Sequence, residues 1–569
     1  MRSKTYKNPG QIALFVFIAL FLFLFLIIPV VKVFHVAFVD VVSGAFTLLN
    51  FKDFFNTSLF RESFFNSFYV AGMSVALATI ISLPLAYFTT RFEFKGSLII
   101  QSLGFIPLIM PPFVGAVAMQ LLFGMNGSVN LLLDTYFGLT IPFMEGLNGV
   151  IFVQSIHYFP FILINLSASL NNIDCSMEES ARNLGSSGIR LFRRVVFPLA
   201  MPGYVAGASL VFIKVFDDLG TPLLLNVNNM LAPQAYLRIS SIGIDDPMGY
   251  VIAVILVIFS LFAMWLASLA LKGKDYSTLQ KGARGLSKRK MRPFERTLAY
   301  FIVIVILLVV LSPHIGLSLL SFGTIWSYSV LPDGFTPDHY VEIFSEMPGF
   351  MLNTLLYASL AASIDVILGT AIAYLVLRSR IRLRHWLDYA AMAALAVPGL
   401  VLGIGYLRTF FGVNVPFTNA PLATWWVMLV IALSIRRLPY ALRACASALQ
   451  QVSRSLEEAA ENLGANKAKT IRKVIVPLMS GGLMAGFVTS FATAAVELSA
   501  TIMLVSTESN APLAYGIYVS MQSAAGRGPG AALGMVAVII VALGTYFSHR
   551  IIEQGRHGRD LDSHPSAKR

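Results

Sequence analysis

The sequence predicts an all-α membrane protein built as two homologous halves, and three observations carry that reading. First, 56% of the 569 residues are hydrophobic and only 12% are charged, whereas about a quarter of a soluble domain is charged. The mean hydropathy is +0.73, and several apolar runs reach the roughly 20 residues that cross a bilayer as a helix. Second, a polar stretch occurs twice. Residues 178–199 read EESARNLGSSGIRLFRRVVFPL, and residues 457–478 read EEAAENLGANKAKTIRKVIVPL. The two align without a gap at an offset of 279 positions, 178 falling on 457. Third, Lys and Arg concentrate in alternate loops between the apolar runs, the bias that marks cytoplasmic loops.

Taken in order, the chain opens with Arg2, Lys4 and Lys7, then runs apolar from Gln11 to about Phe38. A signal peptide would have a shorter core and a small-residue cleavage site; this run is too long, so it reads as a retained first span. Five further spans are expected at about 66–90, 100–124, 149–171, 198–218 and 248–271. A basic linker at 272–297 follows, then six more spans at about 298–322, 353–378, 388–412, 423–447, 477–503 and 530–552, and a tail from 553 to 569. About 12 transmembrane helices in two six-helix halves, 1–271 and 298–552, result. With the N-terminus inside, every loop after an even span should be basic. The linker has nine Lys or Arg, the 91–97 loop has Arg91 and Lys95, and the 379–386 loop has Arg380, Arg382 and Arg384. The opposite loops 125–148 and 323–352 have no Lys or Arg. Both termini and both polar repeats are therefore expected in the cytoplasm.

The duplication extends beyond the polar stretch. Asn66-Ser-Phe-Tyr and Leu85-Ala-Tyr match Asn353-Thr-Leu-Leu and Ile372-Ala-Tyr; Ser155-Ile-His157-Tyr-Phe-Pro160 matches Ser434-Ile-Arg436-Arg-Leu-Pro439; Asp218-Leu matches Glu497-Leu. Two such halves pack about a pseudo-two-fold axis with a pathway between them. Each polar repeat, expected over 174–197 and 453–476, reads as a short helix, a break and a second helix. Glu178 and Glu179, and likewise Glu457 and Glu458, lie in the opening turn, where carboxylates suit a helix N-terminus. Ala181 and Ala460 are small residues fit for a close contact. Gly185 and Gly464 come where a helix can end on positive φ. Arg190, Arg193 and Arg194 follow in the first copy, with Pro198 expected to start the next span. Arg472, Lys473 and Pro477 hold those places in the second. Two helices meeting at a glycine make an L-shaped knob that can fill a groove on a soluble partner, its glutamates free to pair with a partner arginine.

The pattern E-[AS]-A-x-x-x-G, followed ten residues after the glycine by V-x-[FV]-P, resembles the EAA motif of the membrane subunits of bacterial ABC importers. The first copy departs from it only in Ser180. The resemblance covers about residues 60 to 550. It implies a type I importer permease fold with both membrane halves fused, in the bacterial inner membrane. It implies knobs that act as coupling helices, each seated on one of two copies of a cytoplasmic ATPase that uses ATP and Mg. It also implies a periplasmic or lipid-anchored binding protein that delivers the substrate. FDDLGTPLLL at 216–225 and VELSATIMLV at 496–505 make the chain most similar to permeases for ferric iron. Thiamine, 2-aminoethylphosphonate, sugar-phosphate and polyamine permeases are close neighbours.

Chemistry within the chain is sparse. There is no Walker A loop, HExxH, CxxC or GxSxG, so a transport subunit is expected, with no catalytic or metal site and no bound cofactor. The two cysteines, Cys175 and Cys445, make no disulfide framework. The net charge of +13 is spread over short loops beside membrane lipid and points to no nucleic acid. His157, beside Pro160, reads as a packing residue. Charges inside spans are costly and face a cavity or a partner. Lys214 and Asp218, four apart, are placed to neutralise each other, with Asp217 adjacent, and Asp365 stands alone in the eighth span. Asp218 and its match Glu497 read either as caps where a helix breaks near Gly220 and Pro222, or as paired pathway carboxylates, one per half. A secondary transporter also has six-plus-six helices, but the doubled knob has no use there.

Overall fold

The computed structural model describes residues 9–40, 43–271 and 290–562. The charged N-terminal residues, most of the basic linker (272–289) and the last seven residues lie outside the described residues. The described chain is helical with three isolated bridges. Among the described residues nine helices are long and apolar enough to cross a membrane: Pro9–Ala37 (α1), Ser58–Arg91 (α2), Pro112–Phe137, Gly146–Asn171 (α4), Gly188–Asp217 (α6), Pro247–Leu269, Pro293–Phe322 (α8), Pro348–Arg378 (α9) and one starting at Arg527. Within the third of these, Pro112–Phe123 is α3. The knob helix Cys175–Asn183 is α5, and Pro247–Leu271 is α7. In the second half Gly399–Phe410 is α10, Trp426–Gln451 is α11, the knob helix Arg454–Asn462 is α12 and Ser480–Ala495 is α13. The last helix, α14, runs Arg527–Asp562, ten residues beyond the span end at 552.

Several expected boundaries are corrected. The third span breaks into Ser97–Leu108 and α3 at Met110-Pro111-Pro112, because a proline pair removes two donors and bars the preceding residue from helical φ/ψ. The ninth breaks between Arg384–Ala396 and α10, bent by 108° at Pro398. The tenth, α11, has 26 residues, but Arg436, Arg437 and Arg443 make it too charged to read as a simple span. The eleventh is two helices, Lys467–Leu478 and α13, bent by 74°. In the first half Pro198 starts nothing. It lies inside the continuous α6, where a π-helical turn at 192–196 absorbs it by lengthening the hydrogen-bond step. The second half's first helix starts at Pro293, inside the expected linker.

Each half is built on a three-helix core. α2, α4 and α6 pack together in the first half, as α9, α11 and α13 do in the second. The small residues responsible fall in register. Gly203 and Gly207 on α6 meet the backbone of α4, where a Cβ at 207 would lie 2.7 Å from Ile162 Cα. Gly482 and Gly486 on α13 meet α11 in the same way, with 486 closing on Ala441 at 3.2 Å. Glycines four apart let helices approach closely in a medium where burial gives no net drive to associate. The loops at the ends of the cores away from the polar repeats are tied alike. Asn66 donates to the Asn229 carbonyl at 2.9 Å and Asn353 to the Ser509 carbonyl at 2.8 Å. The halves also exchange helices: α1 and its continuation pack on α9 and α10 of the second half, and α8 packs on α3 of the first.

Candidate functional site

The two knobs have one construction. Asp174 Oδ1 accepts from the Ser176 amide at 2.9 Å and opens α5; Ser453 Oγ accepts from the Ser455 amide at 3.3 Å and opens α12. Both helices close in a Schellman turn. Gly185 donates to the Arg182 carbonyl at 2.8 Å and Ser186 to the Ala181 carbonyl at 2.9 Å. Gly464 donates to the Glu461 carbonyl and Ala465 to the Ala460 carbonyl, both at 3.0 Å. Gly185 and Gly464 have φ of 82° and 84°, and a Cβ at either would meet nothing within 4 Å. Conformation, not space, requires glycine at both bends.

The glutamates divide their work. Glu178 is buried and pairs with Arg91 at the end of α2, 3.0 Å away, and with Arg182 at 3.3 Å. Glu457 pairs with Arg378 at the end of α9, 2.6 Å away. These two acids fasten each knob to its own half. Glu179 and Glu458 are exposed, and Ala181 and Ala460 are half-buried under the turn. At the tips stand two leucines that sequence reasoning passed over: Leu184 is 88% exposed and Leu463 is 90% exposed. The matched Asn-Leu-Gly triplets had been the signal for them.

The second site lies where the halves meet. A cavity there is lined by Lys214, Asp217 and Asp218 of the first half and by Arg436, Arg437 and Glu497 of the second. Three cations face three acids, so the lining is formally neutral. Arg436 spans the seam: one guanidinium nitrogen bonds Asp217 of the first half and another bonds Glu497 of its own half. Charge-assisted bonds of this kind, screened from water, are strong and costly to break from one side. Gly399 starts α10 directly beneath; a Cβ there would collide with the Arg436 guanidinium and lie 2.7 Å from Glu497 Oε1. Gly220 is pressed between Phe113 of α3 and Leu498 of the second half, with contacts of 2.8 and 2.9 Å for a Cβ. Both broken third spans therefore bring the start of their second helix to the seam, beside the arginine and the residues that line the cavity.

Asp218 and Glu497 sit at equivalent helix breaks and both cap. Asp218 Oδ1 accepts from the Gly220 amide at 3.2 Å and Oδ2 from Gln154 at 2.9 Å, so Gln154 and not Lys214 satisfies it. Glu497 Oε2 accepts from the Ala500 amide at 3.1 Å and the Thr501 amide at 3.3 Å. The inter-half contact is made by Asp217, which the internal alignment places opposite Val496 and so hides. His157 is buried against Tyr158 and lines the same cavity. Asp365, the lone acid of its span, is buried and accepts a hydrogen bond from Ser434 at 2.6 Å.

The model of the family described as binding-protein-dependent transport system inner membrane component matches twice, at residues 78–276 and 365–557. A ferric transport system permease of Actinobacillus pleuropneumoniae is 28% identical over 464 residues, covering 79% of this chain and 65% of that protein. A Haemophilus influenzae protein described as a ferric transport system permease is 28% identical over 469 residues, covering 80% of this chain and 71% of its own length. A molybdenum transport system permease of the same organism is 32% identical over 157 residues, 27% of this chain and 68% of the relative. The chain thus spans 65% of the length of the Actinobacillus relative.

Proposed function

Because the chain belongs to the family of inner membrane components of binding-protein-dependent transport systems, twice over in one polypeptide, we propose that it forms both walls of the pathway of an ATP-driven importer of ferric iron. The observation that carries the reading is the pair of knobs. Each half presents one helix–glycine–helix element of the same build, fastened at its base by an ion pair, buried in the first half and half-buried in the second, and tipped by an exposed leucine. An exposed leucine on a rigid turn suits an apolar pocket on a partner, and two copies suit two ATPase subunits. ATP and Mg are then used by those subunits, and this chain is not an enzyme. A binding protein delivers the metal to the opposite face, both termini being cytoplasmic as the loop charges require. Ferric iron as cargo is supported by the two relatives named for ferric transport, which match along both halves.

In the mechanism, the Arg436 bridge holds the halves together at rest. ATP closes the two ATPase subunits and moves the knobs toward each other. The knobs are fastened at Arg91 and Arg378, so the motion passes into α2 and α9 and pries the seam apart. Arg436 then leaves Asp217, and the seam offers Asp217 and Asp218 to a cation. ATP can drive this only by binding one arrangement better than the other. The test is the double change Leu184→Asp with Leu463→Asp. Burial of a leucine contributes about 1.5–3 kcal/mol, so losing two should release the ATPase and abolish uptake of labelled ferric iron while the chain still folds. Full retention of the ATPase and of uptake would overturn the reading.

A further inference from the structure

The two halves differ where the knob joins the fifth span. In the first half the join is filled by rings. Tyr87, Phe192, Phe197 and Tyr204 make an unbroken chain with centroids 5.0, 5.7 and 5.5 Å apart, and Thr79 Oγ1 meets the Tyr204 hydroxyl at 3.2 Å. The second half keeps Tyr374 but has Ile471, Val476 and Leu483 where those three rings stand, and Val366 in place of Thr79. The missing volume is not taken up. A cavity of about 410 Å³ remains, lined by these residues and by Met479 at the 74° bend. An apolar cavity of about 150 Å³ already stays dry and accepts benzene, and protein interiors otherwise close such gaps. The mouth of this one faces the bilayer, since Ile367 on its rim is 68% exposed and Leu14 of α1 is 36% exposed.

Charge identifies the occupant. Lys467, Lys469, Arg472 and Lys473 are all exposed on the segment that leads into the cavity. No acidic residue intervenes from 462 to 496, and among the described residues Arg472 and Lys473 form no ion pair. Arg472 directly follows Ile471, which lines the cavity, and Lys473 follows it. We propose that this cavity binds one anionic phospholipid, an acyl chain filling it and the phosphate resting on Arg472 and Lys473. The lipid then completes the second half as the aromatic chain completes the first, and holds the bend that carries the second knob. The orientation proposed above supplies only the leaflet, the cytoplasmic one; lipid retention is read without ATPase or iron, so its failure is separable from failure of the transport reading.

The experiment is native mass spectrometry of the full chain in detergent, titrated with phosphatidylglycerol or with phosphatidylcholine of the same acyl chains. Wild type should retain one phosphatidylglycerol at about a tenfold lower concentration than phosphatidylcholine, since each surface cation adds measurably to anionic-lipid binding. The filled variant Ile471→Phe, Val476→Phe, Leu483→Tyr, which copies the first half, should lose that lipid. Arg472→Gln with Lys473→Gln should bring phosphatidylglycerol down to the phosphatidylcholine level. Arg193→Gln with Arg194→Gln, the same positions over the ring-filled join, should change nothing. Should the filled variant not fold, the two glutamine pairs still decide, because all four side chains are exposed. Equal retention of the two lipids by wild type, an undiminished tight site in the filled variant, or equal effects of the two glutamine pairs would each overturn the proposal.

Discussion

The two halves of this chain share a scaffold and part company at the seam. Glycines at 203 and 207 against 482 and 486, asparagines at 66 and 353, and the knobs with Glu178 and Glu457 at their bases do the same work in both. At the seam the second half has Arg436 and Arg437 where the first has His157 and Tyr158, and the first has Asp217 where the second has Val496. A symmetric pair of arginines would leave two cations to be neutralised at one place. One arginine between one acid from each half is neutralised and ties the halves together. The lesson is that duplication supplies framework in pairs, whereas the charged contact between the halves is made once.

The comparison can be broken most strongly at that arginine. Arg436→Gln leaves the buried carboxylates of Asp217 and Glu497 without their cation, and breaking a buried pair from one side costs about 3–5 kcal/mol. The unfolding temperature in detergent should fall well below wild type, while His157→Gln at the matched position should shift it little. Equal shifts would deny the asymmetry. The glycine contacts should behave in the opposite way. Gly207→Leu and Gly486→Leu overpack equivalent crossings and should each cost about 1–3 kcal/mol, so a large effect in only one half would deny the shared scaffold.

Smaller effects sharpen the knobs. Gly185→Val and Gly464→Val place a β-branched residue at positive φ, a strain of about 1–3 kcal/mol. Because a Cβ there touches nothing, the loss should show in ATPase copurification and not in unfolding of the membrane core. Smallest of all, Glu179→Lys or Glu458→Lys is an exposed change expected within about 0.5 kcal/mol of wild-type stability. Glu178→Lys or Glu457→Lys instead breaks the fastening to Arg91 or Arg378 and should lower the unfolding temperature. Equal shifts for inner and outer glutamates would reject the division of roles.

Much of this was legible in the sequence. Apolar runs, loop charges and the 279-residue offset gave the fold class, the two halves and both knobs, down to the glycines at positive φ. The breaks at Pro111 and Pro398 were less legible, since hydropathy integrates over a window and passes through a proline hinge. So was Arg436, whose internal match is a histidine and which stands beside a second arginine, Arg437, that makes no ion pair with Asp217. Asp218 and Glu497 stood out by alignment because both cap; Asp217, the acid that crosses the seam, has no counterpart to draw attention to it. The inward turn of Glu178 and Glu457 depends on arginines about 80 residues away, a distance at which pattern carries no signal.

The central claim is that the knobs open the seam that Arg436 closes. It is tested by a cysteine at Ser499, which lines the seam cavity, placed in a Cys175→Ser, Cys445→Ser background and assembled with the ATPase in membrane vesicles. Labelling by an impermeant thiol reagent would be compared before and after the complex is trapped with ATP. The account predicts a low rate at rest, a large rise on trapping, and no rise when Leu184 and Leu463 are both aspartate. A rate that ATP leaves unchanged, or a rise that survives loss of both leucines, would contradict it.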